Sequence, residues 1–461
     1  MVKRIQPVSK NQKIDISIDG ISHDGSGVGR IEGFTVFVPG TTPGDKVSAT
    51  VISVQKSHAR ALPLTINEPS ASRIDAPCRY FQSCGGCQMQ HIAYEEQLKH
   101  KGNLVAQSLL RIGNIKSEIK PVIGMDNPWN YRNKAQVPVF FDGKNVITGF
   151  FERRSHKVVD IDNCLIQHES NNHAINKTRE AIDELKIPVY DEKTHRGIVR
   201  HIISRTSLKK GKTVLTIVTF ENKIPNKVKL IENLRSNIKN LSGIVQNVNR
   251  EKSNVILGKE ENILYGNPFI TEKINDFTFR ISPRSFFQVN TTQTKVLYDI
   301  IKDFAGLTGE EIVYDLYCGI GSIGIYLSEK ARVIVGIDSE KSAIRDAEFN
   351  AEKNNVKNAS FYTGKAEKIM PALIKNGDSA DLVIVDPPRK GCQKELLETI
   401  INAGPPKIIY VSCNPATLSR DLLHLKSCNY NVTAVQPVDM FPQTSHVECV
   451  VLLERTLKTS F

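Results

Sequence analysis

The chain has 461 residues, 40% of them hydrophobic, and a formal net charge of +12. This length predicts about two to four domains, and no stretch approaches the ~18 consecutive apolar residues of a membrane helix. The basic excess favours a polyanionic partner such as nucleic acid, and the polar N-terminus lacks a secretory signal, so we expect a cytoplasmic protein with no membrane partner.

Short strands and glycine-rich turns are predicted first. Residues 14–18 alternate apolar and polar side chains, and further strands are predicted at 34–38 and 45–51. Several short strands in about sixty residues predict a small β-barrel. The glycine-rich segment from Asp24 to Arg30 resembles the TRAM domain, an OB-like RNA-binding module, which we place at residues 5–65.

A central α+β domain is predicted at residues 66–275, and it contains the most basic segment of the chain. From Lys193 to Lys212 there are seven Lys and Arg residues and no Asp or Glu, with apolar residues between the charges. This pattern predicts a strand with one basic face that binds RNA phosphates, and a merely solvated face is the alternative.

Strand–helix alternation marks residues 276–461. Apolar strands are predicted at 311–316, 332–338, 381–386 and 407–412, with a helix at 342–355. This order predicts a Rossmann-like α/β domain with a parallel, doubly wound sheet.

A glycine loop follows the first of these strands. Gly319, Gly321 and Gly324 have the GxGxxG spacing, which fits either NAD or S-adenosylmethionine (SAM). Asp338 ends the next strand and is expected to accept hydrogen bonds from a ribose. Asp386 opens an Asp-Pro-Pro turn typical of methyltransferases that act on nucleobases, which favours SAM. The residue after this turn is arginine rather than an aromatic residue, which argues against an exocyclic amine as the target.

Cys413 is the candidate nucleophile because it directly follows the strand at 407–411, at the edge where open α/β sheets build active sites. A soft thiolate can add to C6 of uracil and activate C5 toward a methyl donor. Glu448 is the candidate base for the C5 proton. The alternatives are a buried structural cysteine and an ordinary strand glutamate.

Five motifs in order resemble the RNA 5-methyluridine methyltransferase family: those around Gln288, Tyr317, Asp386, Cys413 and Glu448. The resemblance implies that Cys413 is the nucleophile and Glu448 the proton acceptor. It also implies that SAM and the target base contact Gln288, Tyr317, Asp338 and Asp386. The roles of Gln288 and Tyr317 depend on the resemblance alone, and family members often have Glu at the position of Asp338.

Cys78, Cys84 and Cys87 form a C-x5-C-x2-C motif that Cys164 could complete. The spacing alone leaves zinc and an iron–sulfur cluster open. The family's ribosomal members carry a [4Fe–4S] cluster on this pattern, and the tRNA enzymes usually lack both the cluster and the TRAM domain. The resemblance therefore implies a bacterial 23S rRNA (uracil-5-)-methyltransferase that acts on free or partly assembled RNA without an obligate protein partner.

Three other functions compete with this interpretation. A cytosine-5 methyltransferase normally has its nucleophile after proline, whereas Ser412 precedes Cys413 here. A guanine-N2 methyltransferase is the second alternative. The third is a non-catalytic RNA-binding protein, but both Cys413 and Glu448 are intact.

Overall fold

A computed structural model describes residues 6–153, 155–375 and 379–456. Within these ranges, no helix combines the length and the apolar character needed to cross a membrane.

The predicted N-terminal barrel is confirmed. It consists of β1 (Lys13–Ile21), β2 (Gly27–Ile31), β3 (Phe34–Val38), β4 (Lys46–Val54) and β5 (His58–Glu68). The strands close in the order β1-β2-β3-β5-β4, and only β3 and β5 run parallel. The alternation in β1 directs Ile14, Ile16 and Ile18 into the barrel core. Position 29 requires glycine, because a Cβ there would lie 2.4 Å from the Ser17 carbonyl oxygen.

A seven-stranded sheet forms the middle of the molecule, in the order β12-β11-β10-β9-β6-β7-β8. Helices α2 and α3 contribute apolar side chains to its core. The elements of this region are α1 (Tyr94–Arg111), β6 (Lys134–Phe141), β7 (Val146–Phe151), β8 (Val158–Asp160), α2 (Glu169–Glu184), β9 (Val199–Thr206), β10 (Thr213–Thr219), α3 (Lys227–Asn237), β11 (Leu241–Val248) and β12 (Glu260–Gly266).

The prediction that the 193–212 segment forms a strand with one exposed basic face is wrong. Its strand, β9, lies between β10 and β6 and is buried along nearly its whole length. Arg200 donates to the carbonyl oxygens of Asn249 and Glu251, both at 2.8 Å. Arg205 is buried and donates to the Ser285 carbonyl oxygen at 3.2 Å. The exposed cations of the segment are Lys193 and Arg196, which precede β9, and Lys209, Lys210 and Lys212 of the β9–β10 turn.

The C-terminal part begins with a hairpin and continues as a doubly wound sheet, as predicted. Its elements are β13 (Ile270–Ile274), β14 (Phe277–Ile281), α4 (Thr291–Ala305), β15 (Ile312–Leu316), α5 (Ser322–Leu327), a 3-10 turn (Ser328–Lys330), β16 (Val333–Asp338), α6 (Lys341–Lys353), β17 (Ala359–Thr363), α7 (Ala366–Lys375), β18 (Leu382–Val385), α8 (Lys394–Ala403), β19 (Lys407–Ser412), α9 (Pro415–Ser427), β20 (Tyr430–Val438) and β21 (Glu448–Arg455).

The order of this sheet determines where a site can form. The strands lie in the order β17-β16-β15-β18-β19-β21-β20, and the first five are parallel. Strand β21 runs antiparallel between β19 and β20. The carboxyl ends of β15, β16, β18 and β19 therefore meet at one edge, where open α/β folds bind ligands.

Candidate active site

The loop after β15 has the backbone conformations that a ligand-binding turn requires. Tyr317, Gly319 and Gly321 all have positive φ, at 64°, 55° and 74°. A Cβ at Gly319 would meet no other group within 4 Å, so the backbone there faces open space. Tyr317 adopts the left-handed region without being glycine, a strained conformation that often occurs at binding sites. Its side chain packs against the core on one face of the sheet.

Two acidic side chains lie at the ends of the neighbouring strands. Asp338, at the end of β16, accepts from the backbone N–H of Gly319 at 3.0 Å. Asp386 follows β18 and accepts from the Gln288 amide at 3.4 Å. Burial raises the pKa of Asp386 to about 7, although the Gln288 hydrogen bond opposes this rise. This hydrogen bond connects Gln288, in the segment before α4, to Asp386 at the end of β18.

Asp315 supplies a further buried carboxylate beneath the glycine loop. Its Oδ2 accepts from the Gly324 N–H at 2.9 Å, while its buried Oδ1 has no hydrogen-bond partner among the described residues. Burial raises the pKa of Asp315 to about 7, and the charges of Asp386 and Asp338 add to the effect. Such an orphaned acceptor is commonly completed by a ligand or water.

Strand pairing brings Cys413 and Glu448 together. Ser412, the last residue of β19, pairs with Cys449 of antiparallel β21. Cys413, which follows Ser412, and Glu448, which precedes Cys449, therefore lie side by side at the sheet edge. Cys413 is half-buried, whereas Glu448 is only 3% exposed. Asn414 then caps α9 by accepting from the Ala416 N–H at 3.1 Å, which ends the Cys413 turn.

The electrostatics of this pair are dominated by burial. Burial raises the pKa of the Cys413 thiol to about 11; Glu448 adds to the rise, and Arg389 opposes it. Burial also raises the pKa of Glu448 well above its ordinary value; the Asp386 charge adds to this, and Arg389 again opposes. A thiol and two carboxyl groups thus share a poorly solvated space, and the solvent-exposed Arg389 acts on it from its border.

Arg389 is the residue of this site that the sequence did not identify. Its Nη2 lies 3.0 Å from Nε2 of His446. Its carbonyl oxygen accepts from the Asn414 side-chain amide at 3.1 Å and from the Thr417 hydroxyl at 3.2 Å. Burial and the Arg389 charge lower the pKa of His446 to about 4, so this imidazole is neutral and accepts from the guanidinium.

The sequence offered one signal for this role, the unusual arginine after Asp-Pro-Pro, which we interpreted only as an argument about the target atom. Through Arg389, the loops after β18 and β19 are tied to the residue two positions before Glu448. Nearby, Phe286 is 66% exposed although Phe287 is buried. The motif around Gln288 therefore presents an aromatic ring to solvent.

The four predicted cysteine ligands are also brought together, at a separate place. Cys78, Cys84, Cys87 and Cys164 line one cavity of about 380 Å³. The thiols lie close enough to influence one another electrostatically. Within the described ranges, no group of three or more His, Cys, Asp or Glu side chains is arranged to hold a single metal ion.

Comparisons with known proteins show which family the chain resembles. Residues 93–456 match the family described as tRNA (Uracil-5-)-methyltransferase, and residues 7–64 match the TRAM domain. An uncharacterized RNA methyltransferase of Halalkalibacterium halodurans is 45% identical over 455 residues, covering 98% of this chain and 99% of the relative. One from Listeria innocua is 45% identical over 451 residues, covering 98% and 99%.

A solved structure is similar over almost the full length. The tRNA (uracil-54, C5)-methyltransferase of Pyrococcus abyssi, in complex with S-adenosyl-L-homocysteine, has a TM-score of 0.76 and 30% identity, covering 95% of this chain and all of that one. The fold seen here, a closed barrel in front of a methyltransferase sheet, is thus shared with that enzyme.

Proposed function

The chain belongs to the RNA uracil-5-methyltransferase family, and from this premise we propose that it transfers the methyl group of SAM to C5 of uridines in 23S rRNA. The observation that carries the proposal is the juxtaposition of Cys413 and Glu448 across the β19–β21 pair. A nucleophile and a base at adjacent positions are what methylation at a ring carbon requires.

The reaction uses the two side chains in sequence. The Cys413 thiolate adds to C6 of uracil, and the ring electrons move to C5 and O4. C5 then forms a bond to the methyl group, and S-adenosylhomocysteine leaves. The Glu448 carboxylate removes the remaining C5 proton, the C5=C6 double bond re-forms, and the C6–S bond breaks to release the Cys413 thiolate.

Arg389 offsets the negative charge of the two side chains that carry out these reaction steps. Burial disfavours both the Cys413 thiolate and the Glu448 carboxylate. Glu448 also repels the thiolate and Asp386 repels Glu448, and the Arg389 charge opposes the rise in pKa of each group. Neutral His446 accepts from the guanidinium and holds it in place. We assign Arg389 the role of favouring the ionised forms that the two steps need.

The residues at the sheet edge fit SAM. An acidic site with the orphaned Asp315 oxygen suits a ligand that carries positive charge and hydrogen-bond donors. Gln288, Tyr317, Asp338 and Asp386 would hold the ligand, with Asp338 close to the glycine loop. SAM supplies the methyl group as an electrophile on a positively charged sulfur. The S-adenosyl-L-homocysteine bound to the Pyrococcus enzyme supports SAM as the ligand here.

We propose that the cysteine cavity holds a [4Fe–4S] cluster. Four thiols line this one cavity of about 380 Å³, a donor set that suits either zinc or a cluster. The resemblance to ribosomal family members, rather than the geometry, favours the cluster. Cys78, Cys84, Cys87 and Cys164 would be the ligands, and the chemistry at Cys413 draws no electron from the cluster.

Two RNA substrates, 23S rRNA and tRNA, are candidates for this chemistry. The resemblance of the cysteine motif to that of ribosomal family members favours 23S rRNA, whereas the similarity to the Pyrococcus enzyme, which shares the barrel, favours uridine 54 of tRNA. The test supplies purified enzyme with methyl-labelled SAM and either unmodified 23S rRNA or unmodified tRNA transcripts. We expect label in 5-methyluridine of the 23S rRNA and none with Cys413→Ala. Label confined to tRNA would overturn the rRNA assignment and leave the chemistry intact.

The roles of the two residues are tested by trapping. Glu448→Gln retains shape but removes the base, so methyl transfer should occur once and release should slow by about 10²–10⁴-fold. Methyl-labelled RNA should then remain bonded to the protein on a denaturing gel, and the band should vanish when Cys413 is also replaced. Normal turnover of Glu448→Gln would show that another group removes the proton.

A further inference from the structure

The loop that leads into Glu448 is held by distant parts of the chain. It comprises residues 439–447, between β20 and β21. The backbone N–H groups of Gln88 and Met89 both donate to the Gln443 carbonyl oxygen at 3.0 Å. Gln88 directly follows Cys87, one of the thiols of the cysteine cavity. The wall of that cavity is therefore bonded to the loop that carries the proposed base.

The Gln88 side chain bridges the same two segments. Its Nε2 donates to the Gly85 carbonyl oxygen at 2.8 Å, within the cysteine motif. Its Oε1 accepts from the Ser445 N–H at 3.4 Å, three residues before Glu448. One amide group thus contacts both the turn between two cysteines and the approach to β21.

The barrel closes this junction from a third side. The Ser445 hydroxyl donates to the His23 carbonyl oxygen at 2.8 Å. Gly25, with φ of 76°, lies so close that a Cβ there would be 2.5 Å from the Gln88 Cβ. The conformational freedom of Gly25 and its missing side chain allow the barrel turn to pack onto Gln88.

We propose that Gln88 is a positioning residue for the base step, coupling the cysteine cavity and the barrel to the placement of Glu448. The inference rests on the proposed role of Glu448. Cys413 belongs to a different loop, which is bonded to Arg389 and continues into α9, and which meets the 439–447 loop through the Arg389–His446 contact. Gln88 bonds to Gln443 and Ser445 of the 439–447 loop rather than to His446, so displacing that loop should slow proton removal more than thiolate addition and methyl transfer.

The experiment compares Gln88→Met with Glu448→Gln under single-turnover conditions with labelled SAM and RNA. Gln88→Met keeps the side-chain length but removes both hydrogen bonds. We expect methyl transfer within about twofold of wild type and release slowed by about 10- to 10²-fold, because small misplacements of a catalytic group have effects of this size. Labelled protein–RNA complex should accumulate, as it should for Glu448→Gln.

Two further variants separate positioning from general damage. Gln88→Glu keeps the acceptor for the Ser445 N–H and should recover most of the release rate. Gln90→Met disturbs the cysteine motif, where Gln90 accepts from the Cys78 N–H at 3.3 Å, and should release RNA normally. Iron content and melting temperature are measured for each. If Gln88→Met does not fold, Gly25→Ala probes the junction from the barrel side and should also accumulate complex.

The outcomes are distinguishable. Complex with Glu448→Gln but none with the Gln88 and Gly25 variants would overturn the positioning role and leave the proposed function standing. Equal slowing of methyl transfer and release in Gln88→Met would also overturn it. Complex with none of the variants would overturn the role of Glu448 and, with it, the inference.

Discussion

Arg389 is, at the scale of single residues, the side chain whose positive charge favours the nucleophile. Burial and the Glu448 charge raise the pKa of Cys413 to about 11, and Arg389 opposes this rise. Replacing the guanidinium with a neutral group should therefore raise the Cys413 pKa further. Below that pKa, the reactive thiolate fraction falls in proportion, about tenfold per unit.

The prediction is tested by the pH dependence of thiol alkylation. Arg389→Gln should alkylate Cys413 about tenfold more slowly than wild type at pH 8, and its profile should move to higher pH. Arg389→Lys keeps the charge and should lie close to wild type. Cys413→Ala provides the background from the other thiols. A profile for Arg389→Gln that coincides with wild type would show that the guanidinium does not act on the thiol.

At the scale of elements, the cysteine motif makes a stoichiometric prediction. If its four thiols hold a [4Fe–4S] cluster, anaerobically purified protein should be brown and contain about four iron atoms per chain. Cys84→Ser should lose most of the iron and lower the melting temperature. SAM affinity should change less, because the proposed SAM residues Gln288, Tyr317, Asp338 and Asp386 do not line the cysteine cavity. Zinc at one atom per chain without iron would refute the cluster.

The turn between β9 and β10 carries the second element-scale prediction. Its exposed lysines, Lys209, Lys210 and Lys212, are able to contact phosphates, as are Lys193 and Arg196 at the other end of the basic segment. Replacing all three with Gln should weaken RNA binding and reduce the slope of log K against log salt by up to about 2–3. Arg205→Met is the contrast, because it removes a buried bond and should lower the melting temperature instead. An unchanged salt slope in the triple variant would show that the three lysines do not contact RNA phosphates.

The strands of the barrel and of the C-terminal sheet were predictable because their signal is local. Alternation in β1 and the apolar runs of β15, β16, β18 and β19 report burial directly. The prediction of a basic face on residues 193–212 failed for a physical reason. Charge composition does not report that β9 lies inside a sheet, where Arg200 and Arg205 satisfy backbone carbonyl groups instead of phosphates.

The candidate site was predictable to the same extent. Asp338, Asp386 and Cys413 follow strands whose carboxyl ends must meet in a parallel sheet. Arg389 and the Gln88 junction were not, because their partners are remote. Gln88 and Ser445 are 357 positions apart, and no local pattern encodes such a contact.

At the scale of the whole molecule, a buried ion pair joins α1 to the 439–447 loop. Lys101 Nζ lies 2.6 Å from Asp439 Oδ1, and the two side chains are 1% and 0% exposed. Lys101 also donates to the Phe441 carbonyl oxygen at 3.1 Å, and Tyr94 donates to Asp439 Oδ2 at 2.9 Å. The pair connects residues 338 positions apart, so it stabilises the arrangement of the two segments rather than either helix or strand alone.

Lys101→Met should therefore be strongly destabilising. It leaves the Asp439 carboxylate buried without its counter-charge, a change that typically costs about 3–5 kcal/mol. Lys101→Met combined with Asp439→Leu removes both charges and should recover most of the loss, since a buried pair is often replaceable by apolar groups. Denaturant unfolding of the three variants measures the coupling. If the double variant is as unstable as the sum of the single ones, the two side chains act independently, and the loop depends on its other contacts, those to Gln88 and the barrel.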